Sequence, residues 1–226
     1  MRGAGGHHHM REYKAVLFDF DYTLGDTESS ILAGFFHAFE TMGLPRPDAG
    51  AVKATIGYPL AVEYNMLTGD SDEGRIAQFR RLYTEKANPI QIAETRLFPG
   101  GEELVRALHG AGVPVAVVSS KRTSTLQAIL DNLGLSGLFA SITGGDLVQN
   151  PKPDPEGLLA AVAALGLTPG QVLYCGDTTI DAETAQRAGA PFSAVLNGAT
   201  PASAFAAYPS VHIAPDLVEL TAWLGL

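Results

Sequence analysis

Short apolar runs alternate with longer amphipathic segments along most of this chain. The run from Ala15 to Phe18 has the length and composition of a strand that is buried on both faces of a parallel sheet. Later runs of the same kind are Val113 to Val118, Ala140 to Thr143, Val172 to Cys175, Ser193 to Leu196 and Val211 to Ile213. The pattern predicts an α/β fold, a Rossmann-like, doubly wound parallel sheet with right-handed crossovers and helices on both faces.

One stretch near the start of the chain departs from this alternation because it contains only helical patterns. Apolar residues recur at helical spacing from Glu28 to Met42 and, in several segments, from Asp48 to about Ala93. The alternation resumes after a break that reads LFPGG. We therefore predict an all-helical cap over residues 28–95, inserted into a core made of residues 11–27 and 96–226. The hinges are expected at residues 25–28 and 95–100.

The composition is that of a globular protein with a large packed core. The 226 residues are 46% hydrophobic and 17% charged, which suits one large domain or a core with a smaller inserted domain. Residues 1–10, MRGAGGHHHM, look like the remnant of an expression tag, so their histidines are not counted as metal ligands. The native chain is expected to begin at Met10.

Charge and cysteine use restrict the expected partners and location. A net charge of −9 disfavours nucleic acid and anionic membranes as partners. No apolar run is long enough to span a bilayer, and no secretory signal precedes the first strand. The single cysteine, Cys175, excludes an internal disulfide and suits a reducing compartment, so we predict a cytoplasmic protein.

Two carboxylates directly follow the first predicted strand, in the sequence DFDYTLGD. If the backbone stays extended there, Asp19 and Asp21 point towards one site. Two carboxylates that face one site repel each other and lose hydration, so the pair suggests a metal ion or a shared proton. The alternative interpretation is that polar residues at this point only cap the next helix, with Asp26, Thr27 or Ser29 in that role.

Polar residues also follow the later strands, at the sheet edge where ligands bind in folds of this kind. Ser119 and Ser120 can bind phosphoryl oxygens, or the polar residues here simply cap the next helix, with Ser120, Thr123 or Ser124 in that role. Lys152 is held between two prolines, a rigid mount for a cation, although a solvated loop lysine would also fit. Asp177 and Asp181 lie about one helical turn apart in GDTTID, where Asp181 is also a candidate N-cap.

Taken together and in this order, these motifs resemble those of the haloacid dehalogenase-like superfamily of phosphohydrolases, and the resemblance extends over residues 13–226. DFDYT resembles the first motif of the family, Ser119 the second, Lys152 the third and GDTTID the fourth. The resemblance implies that Asp19 is a nucleophile that forms an aspartyl-phosphate. It also implies that Asp21 protonates the leaving oxygen and then activates water.

The resemblance implies the ligand-binding residues as well. The transferred phosphoryl group would be held by Thr23, Ser119, Ser120 and Lys152. Mg²⁺ would be bound by the carboxylates of Asp19 and Asp177, by the backbone carbonyl of Asp21 and by waters held partly by Asp181. Tyr22 stands where the family usually has glycine, so the turn before Thr23 must tolerate a side chain that can contact the cap or the substrate.

The expected function is that of a Mg²⁺-dependent phosphatase that acts on a small phosphorylated metabolite. The helical insert is similar to the cap of the subgroup that contains phosphoglycolate phosphatases, so 2-phosphoglycolate is the best single guess for the substrate. A sugar-phosphate mutase such as a beta-phosphoglucomutase, or a pyrophosphatase, would use the same chemistry. Neither nucleic acid nor membrane is expected as a partner, and the chain is expected to be a monomer or a homodimer.

A different class is a phospho-acceptor signalling module, since receiver domains also combine acids, a hydroxyl and a lysine at strand ends. Those domains are far shorter, their phosphorylated aspartate follows a later strand, and no helical insert interrupts them, so the class is disfavoured. The substrate would be recognised by cap side chains. Candidates are Arg46, Lys53, Tyr58, Arg75, Arg80 and Arg81.

Overall fold

The computed structural model describes residues 13–226. The suggested tag remnant and the first two residues of the predicted core lie outside the described residues. Within the described part, none of the helices is both long and apolar enough to cross a membrane.

A six-stranded parallel sheet forms the centre of the molecule, and the predicted fold class is confirmed. The strands are β1 (Ala15–Phe18), β2 (Gly25–Asp26), β3 (Arg96–Leu97), β4 (Val115–Val118), β5 (Ser141–Thr143), β6 (Val172–Gly176), β7 (Phe192–Val195) and β8 (His212–Ala214). The order in the large sheet is β5-β4-β1-β6-β7-β8, and β2 and β3 form a separate antiparallel ribbon. The chain order reverses beside β1, which is where such sheets leave a crevice for ligands.

Helices connect these strands and fill the insert between β2 and β3. They are α1 (Glu28–Thr41), α2 (Ala49–Thr55), α3 (Leu60–Thr68), α4 (Glu73–Glu94), α5 (Gly101–Gly110), α6 (Thr123–Asn132), α7 (Glu156–Ala164), α8 (Thr179–Ala188) and α9 (Leu217–Trp223). The sequence predicted a helix between the last two strands, and the structure has a short 3-10 helix there, at Ala202–Ala207.

The sheet is buried on both faces, as expected for strands that read as continuous apolar runs. Successive residues of a strand point to opposite faces, so Val16 and Phe18 belong to one hydrophobic cluster while Ala15 and Leu17 belong to another. All four side chains are completely buried. This packing fixes the end of β1, and with it the position of the first residue after the strand, Asp19.

The helices α1 to α4 pack around their own aromatic cluster. Phe35 and Phe79 lie at its centre, with ring centroids 5.2 Å apart, and the ring of Tyr83 lies edge-on to Phe35 at 5.3 Å. Gly34 allows this close packing, because a Cβ atom at that position would lie only 2.6 Å from the Tyr83 ring. The cluster holds α4 against α1, and α4 carries several of the polar side chains described below.

Candidate active site

The carboxyl ends of three neighbouring strands bring the predicted motifs together. β1 lies between β4 and β6, with Phe18 paired to Val117 and to Cys175. The residues that follow these strands therefore meet at one edge of the sheet. Asp19 and Asp177 are almost completely buried there, at 3% and 2% exposure.

Lys152 is the cation at the centre of this edge. Its Nζ donates to Asp181 Oδ1 at 2.7 Å, to Asp19 Oδ1 at 3.1 Å and to the hydroxyl oxygen of Tyr174 at 3.1 Å. Burial acts to lower the pKa of Lys152, but the charges of Asp181 and Asp19 outweigh it and hold the pKa well above its usual value. The lysine therefore stays charged, and it is shared between two acids.

Three buried carboxylates, those of Asp19, Asp177 and Asp181, each place one oxygen within 4.8 Å of the others. Burial, repulsion from Asp181 and from Asp21 raise the pKa of Asp19 to about 7, against the attraction of Lys152. Burial and the charges of Asp19 and Asp181 likewise hold the pKa of Asp177 well above its usual range. One lysine does not balance three acids, and carboxylate oxygens are the ligands that Mg²⁺ prefers, so this cluster fits a divalent cation.

Asp177 is fixed by the first motif and by the loop after β7. The Thr23 hydroxyl donates to Asp177 Oδ1 at 2.9 Å, so this fully buried side chain, predicted as a phosphate ligand, orients a carboxylate. Asn197 donates to the Thr23 carbonyl at 3.1 Å. Gly198 lies against the carboxylate, and a Cβ atom there would collide with Asp177 Oδ2.

Asp181 does not occupy the N-cap position of α8 that the sequence suggested. Thr178 is the N-cap, and its hydroxyl and backbone amide are bonded to Asp181 Oδ2 at 3.0 and 3.3 Å in a capping box. One carboxylate oxygen of Asp181 is thus bound to the helix end and the other to Lys152. The side chain has a fixed orientation towards the cluster.

Asp21 lies apart from the three acids. Its Oδ1 accepts a hydrogen bond from the Thr27 hydroxyl at 2.6 Å and lies 3.3 Å from Lys121 Nζ. The Thr27 hydroxyl therefore does not cap α1, although Thr27 occupies the N-cap position. Among the described residues, the carboxylate of Asp21 is not part of the metal-type cluster.

A chain of hydrogen bonds continues from Asp21 into the helical insert. Lys121 Nζ donates to Gln91 Oε1 at 2.8 Å, and Gln91 Nε2 donates to the hydroxyl oxygen of Tyr83 at 3.2 Å. A second link is the Ser120 hydroxyl, which donates to the Gly57 carbonyl at 2.9 Å. These bonds hold the helical insert against the end of the sheet.

The other residues of the first two motifs also have defined partners. Ser119 is buried, and its Oγ accepts a hydrogen bond from the backbone amide of Lys121 at 3.1 Å. Tyr22 has a positive φ of 61°, which is unusual for a residue other than glycine. Its ring belongs to the aromatic cluster of the insert, and its hydroxyl donates to Glu28 at 2.8 Å. Tyr22 therefore contacts the helical insert.

A cavity of about 550 Å³ separates the sheet edge from the helical insert. It is lined by Asp19, Asp21, Ser119 and Lys152 from the motifs, and by Tyr58, Arg80 and Arg81 from the candidate recognition residues. The other three candidates do not line it. Arg46 stacks 3.9 Å from the centre of the Phe36 ring, Lys53 pairs with Glu28 at 2.9 Å, and Arg75 pairs with Asp70.

The structure adds residues that the sequence analysis missed. Lys121 follows the two serines at the end of β4, and Asn197 and Gly198 follow β7. A polar or small residue directly after a strand is a signal by which the sequence could have indicated these site residues. Glu63 and Gln91 lie inside helices of the insert, where an isolated polar residue gives no sequence signal. Both are buried, at 6% and 1% exposure, and both line the cavity.

Comparison with known sequences finds similarity to one hydrolase family and to proteins named as phosphatases. The haloacid dehalogenase-like hydrolase family matches residues 16–195. The probable phosphatase IndB of Dickeya dadantii is 35% identical over 179 residues, which are 77% of each chain. A phosphoglycolate phosphatase of Cereibacter sphaeroides is 33% identical over 187 residues, 81% of this chain and 85% of that protein.

Comparison with solved structures supports the same fold. A protein from Bacteroides fragilis assigned as a haloacid dehalogenase-like hydrolase has a TM-score of 0.89 and 38% identity over 92% of this chain and 99% of its own. A protein from Haemophilus somnus assigned as a phosphoglycolate phosphatase has a TM-score of 0.84 and 25% identity, over 92% of this chain and 96% of its own.

Proposed function

We propose that this chain, which belongs to the haloacid dehalogenase-like hydrolase family, hydrolyses the phosphate ester of a small metabolite. The proposed route is an aspartyl-phosphate on Asp19. The chain is a phosphohydrolase by family and by its similarity to phosphatases. The observation that carries the mechanism is the position of the Asp19 carboxylate, which lines the cavity and pairs with Lys152 at 3.1 Å.

The proposed reaction has two steps. In the first, a carboxylate oxygen of Asp19 bonds to phosphorus, the ester P–O bond breaks, and Asp21 gives a proton to the leaving alkoxide. In the second, Asp21 takes a proton from water, the water oxygen bonds to phosphorus, and the bond between phosphorus and the Asp19 oxygen breaks, which frees the Asp19 carboxylate and inorganic phosphate. Lys152, together with Ser119, would hold the phosphoryl group and offset its negative charge.

The acidic cluster is the proposed Mg²⁺ site. Asp19, Asp177 and Asp181 would hold the ion, with the backbone carbonyl of Asp21 as a further ligand. When bound, Mg²⁺ supplies positive charge that lessens the repulsion between an anionic nucleophile and an anionic phosphate. Burial and the neighbouring carboxylates of Asp181 and Asp21 raise the pKa of Asp19, and a bound cation would offset this excess of negative charge.

We propose that residues 28–95 act as a cap that closes the cavity over the substrate, and that 2-phosphoglycolate is the first substrate to test. The names of similar proteins support that choice. A sugar-phosphate mutase is the second candidate, in which the phosphoryl group passes to a sugar hydroxyl instead of water. The cavity volume of about 550 Å³ favours testing it, since pockets of about 300–1,000 Å³ hold ligands larger than phosphoglycolate.

The decisive experiment is a screen of the purified protein with Mg²⁺ against a panel of small phosphoesters that includes 2-phosphoglycolate, hexose phosphates, pyrophosphate and an aryl phosphate. Release of inorganic phosphate supports the phosphatase, whereas isomerised sugar phosphate without phosphate release supports the mutase. The matched control is Asp19→Asn. If no ester is turned over, or if Asp19→Asn is as active as the unchanged protein, the proposal is wrong.

A further inference from the structure

Glu63, on α3, is a buried acid that the proposed chemistry does not use. Its side chain lines the cavity together with Asp19 and Asp21, and the residue is 6% exposed. Within residues 13–226, its carboxylate forms a single hydrogen bond, from the Thr55 hydroxyl to Oε2 at 2.9 Å, and no ion pair. A buried carboxylate with so few partners is costly for the fold unless a bound molecule completes its hydrogen bonds.

Even this one bond is shared. The Thr55 hydroxyl has one proton, and its oxygen also lies 2.7 Å from the carbonyl oxygen of Val52. The proton can point fully at only one of these two acceptors. Glu63 therefore retains acceptor capacity on a carboxylate that belongs to the cavity wall.

Glu63 lies near the expected position of the leaving group of the substrate. In the proposed mechanism Asp21 protonates the leaving oxygen, so the alcohol part of the ester lies beside Asp21. Burial raises the pKa of Glu63 to about 8, and the negative charge of nearby Asp21 contributes to this increase. Both acids line the cavity, and they lie close enough for their charges to interact.

Among the described residues, no cation that lines the cavity forms an ion pair with Glu63, although the charge of Lys121 acts to lower its pKa. Lys152 is paired with Asp19 and Asp181. Lys121 is engaged by Asp21 at 3.3 Å and by Gln91 at 2.8 Å. Arg80, Arg81 and Arg122 also line the cavity, but all three are exposed. When Glu63 is ionised, above about pH 8, an anionic leaving group would lie between two acids, whereas a hydrogen-bond donor would find an acceptor.

We infer that Glu63, when ionised, selects esters whose alcohol part carries a hydrogen-bond donor, a hydroxyl or an ammonium group, and disfavours a carboxylate such as that of 2-phosphoglycolate. This inference rests on the proposed phosphatase activity and narrows its substrate class. A binding site that contains a buried hydrogen-bond acceptor rejects a ligand without a hydrogen-bond donor, because the acceptor of the site is then left unpaired. The cavity of about 550 Å³ has room for a polyol.

The test measures kcat/KM at about pH 9, where Glu63 is ionised, on four esters: a polyol phosphate, O-phosphoethanolamine, 2-phosphoglycolate and p-nitrophenyl phosphate, which has no donor. The readout is the selectivity ratio of each ester to p-nitrophenyl phosphate, so that a general loss of folded enzyme cancels. For the unchanged protein we expect a donor-bearing ester to exceed 2-phosphoglycolate by about tenfold or more. Glu63→Leu should reduce that selectivity by about tenfold. Glu40→Gln, at an exposed position of α1, is the control and should leave every ratio unchanged.

Glu63→Gln separates the two kinds of donor. Glutamine keeps an acceptor for a hydroxyl but loses the charge, so selectivity for the polyol ester should persist while selectivity for the ammonium ester falls. The inference is overturned if Glu63→Leu leaves all ratios unchanged, or if the unchanged protein prefers 2-phosphoglycolate. Those results leave the phosphatase intact, whereas failure to hydrolyse even p-nitrophenyl phosphate would remove the proposed function and this inference with it.

Discussion

The cavity is bordered by two buried acidic regions, one in the core and one in the helical insert, and they are built in opposite ways. In the core, Asp19, Asp177 and Asp181 gather around Lys152, and hydroxyls at fixed positions orient two of them. In the insert, Glu63 has a shared hydroxyl as its one hydrogen-bond partner within residues 13–226. We propose that the core region holds a cation and the phosphoryl group, which is common to every substrate. The insert presents an incomplete surface that a particular leaving group completes.

The strongest way to separate the two regions is the same acid-to-amide change in each. Asp19→Asn should reduce kcat/KM by at least about 10⁴-fold on every ester, because the nucleophile is lost. Glu63→Gln should change only the preference among esters. The measurement is steady-state hydrolysis of several esters, with thermal unfolding to verify that Asp19→Asn is folded. Residual turnover of Asp19→Asn above about one per cent would rule out the covalent route.

Removal of divalent cations should affect only the core region. Activity should fall to background in excess chelator and return with Mg²⁺, whereas Ca²⁺ should inhibit because its larger, looser coordination misaligns nucleophile and phosphorus. Mg²⁺ should also raise the melting temperature, since it binds the folded state. This increase should be lost in Asp177→Asn and retained in Glu63→Gln. Full activity in chelator would contradict the metal assignment.

Lys121 connects the two regions, so its loss should have an intermediate effect. Lys121→Met removes the ion pair with Asp21 and the hydrogen bond to Gln91. We expect kcat for an alkyl phosphate to fall by about tenfold, and to fall less for an aryl phosphate, whose leaving group needs little protonation. Lys86→Met, at an exposed position on the same helical insert, is the matched control. Equal losses on both esters would show that Lys121 does not act through Asp21.

The smallest expected effect is a pH dependence of stability that belongs to Glu63. Its pKa rises from 4.5 to about 8 on folding, so the folded protein binds this proton more tightly than the unfolded chain does. That contribution to stability is complete below about pH 4.5 and is lost as the pH rises towards about 8. Glutamine does not titrate. The difference in melting temperature, Glu63→Gln minus the unchanged protein, should therefore increase by roughly 5 °C or more between about pH 5 and pH 8.5. A constant difference, as expected for Glu40→Gln, would contradict the burial argument.

The core region could be predicted from the sequence because its geometry follows from the backbone. Parallel strands end at one edge, so polar residues placed directly after them, such as Asp19 and Asp177, have to meet. The pattern could not predict which of these side chains bond to one another at the edge of the sheet. Thr23, which stays a predicted phosphate ligand, donates its hydroxyl to Asp177. Asp181 was a candidate N-cap, but Thr178 takes that position and Asp181 completes its capping box.

The insert could be predicted as helical and as a source of recognition residues, but the sequence could not predict which of its side chains line the cavity. Helical periodicity reports which face of a helix is apolar, and the position of one helix over another depends on packing such as that of Phe35 and Phe79. Glu63 and Gln91 therefore gave no signal. Three of the charged or aromatic candidates proved to line the cavity, and three pair elsewhere on the insert. The two-stranded ribbon of β2 and β3 was also missed, because strands of two residues leave no periodicity.

The central claim is the covalent intermediate on Asp19, and Asp21→Asn tests it most directly. An aryl phosphate needs little protonation of its leaving group, so it should still phosphorylate Asp19 in this variant, while hydrolysis of the aspartyl-phosphate lacks its base. Rapid mixing with p-nitrophenyl phosphate and Mg²⁺ should therefore release a burst of about one equivalent of nitrophenol per site, followed by slow turnover, and the trapped phosphoryl group should map to Asp19. Linear release without a burst, with equal losses on aryl and alkyl esters and no phosphorylated Asp19, would contradict the account.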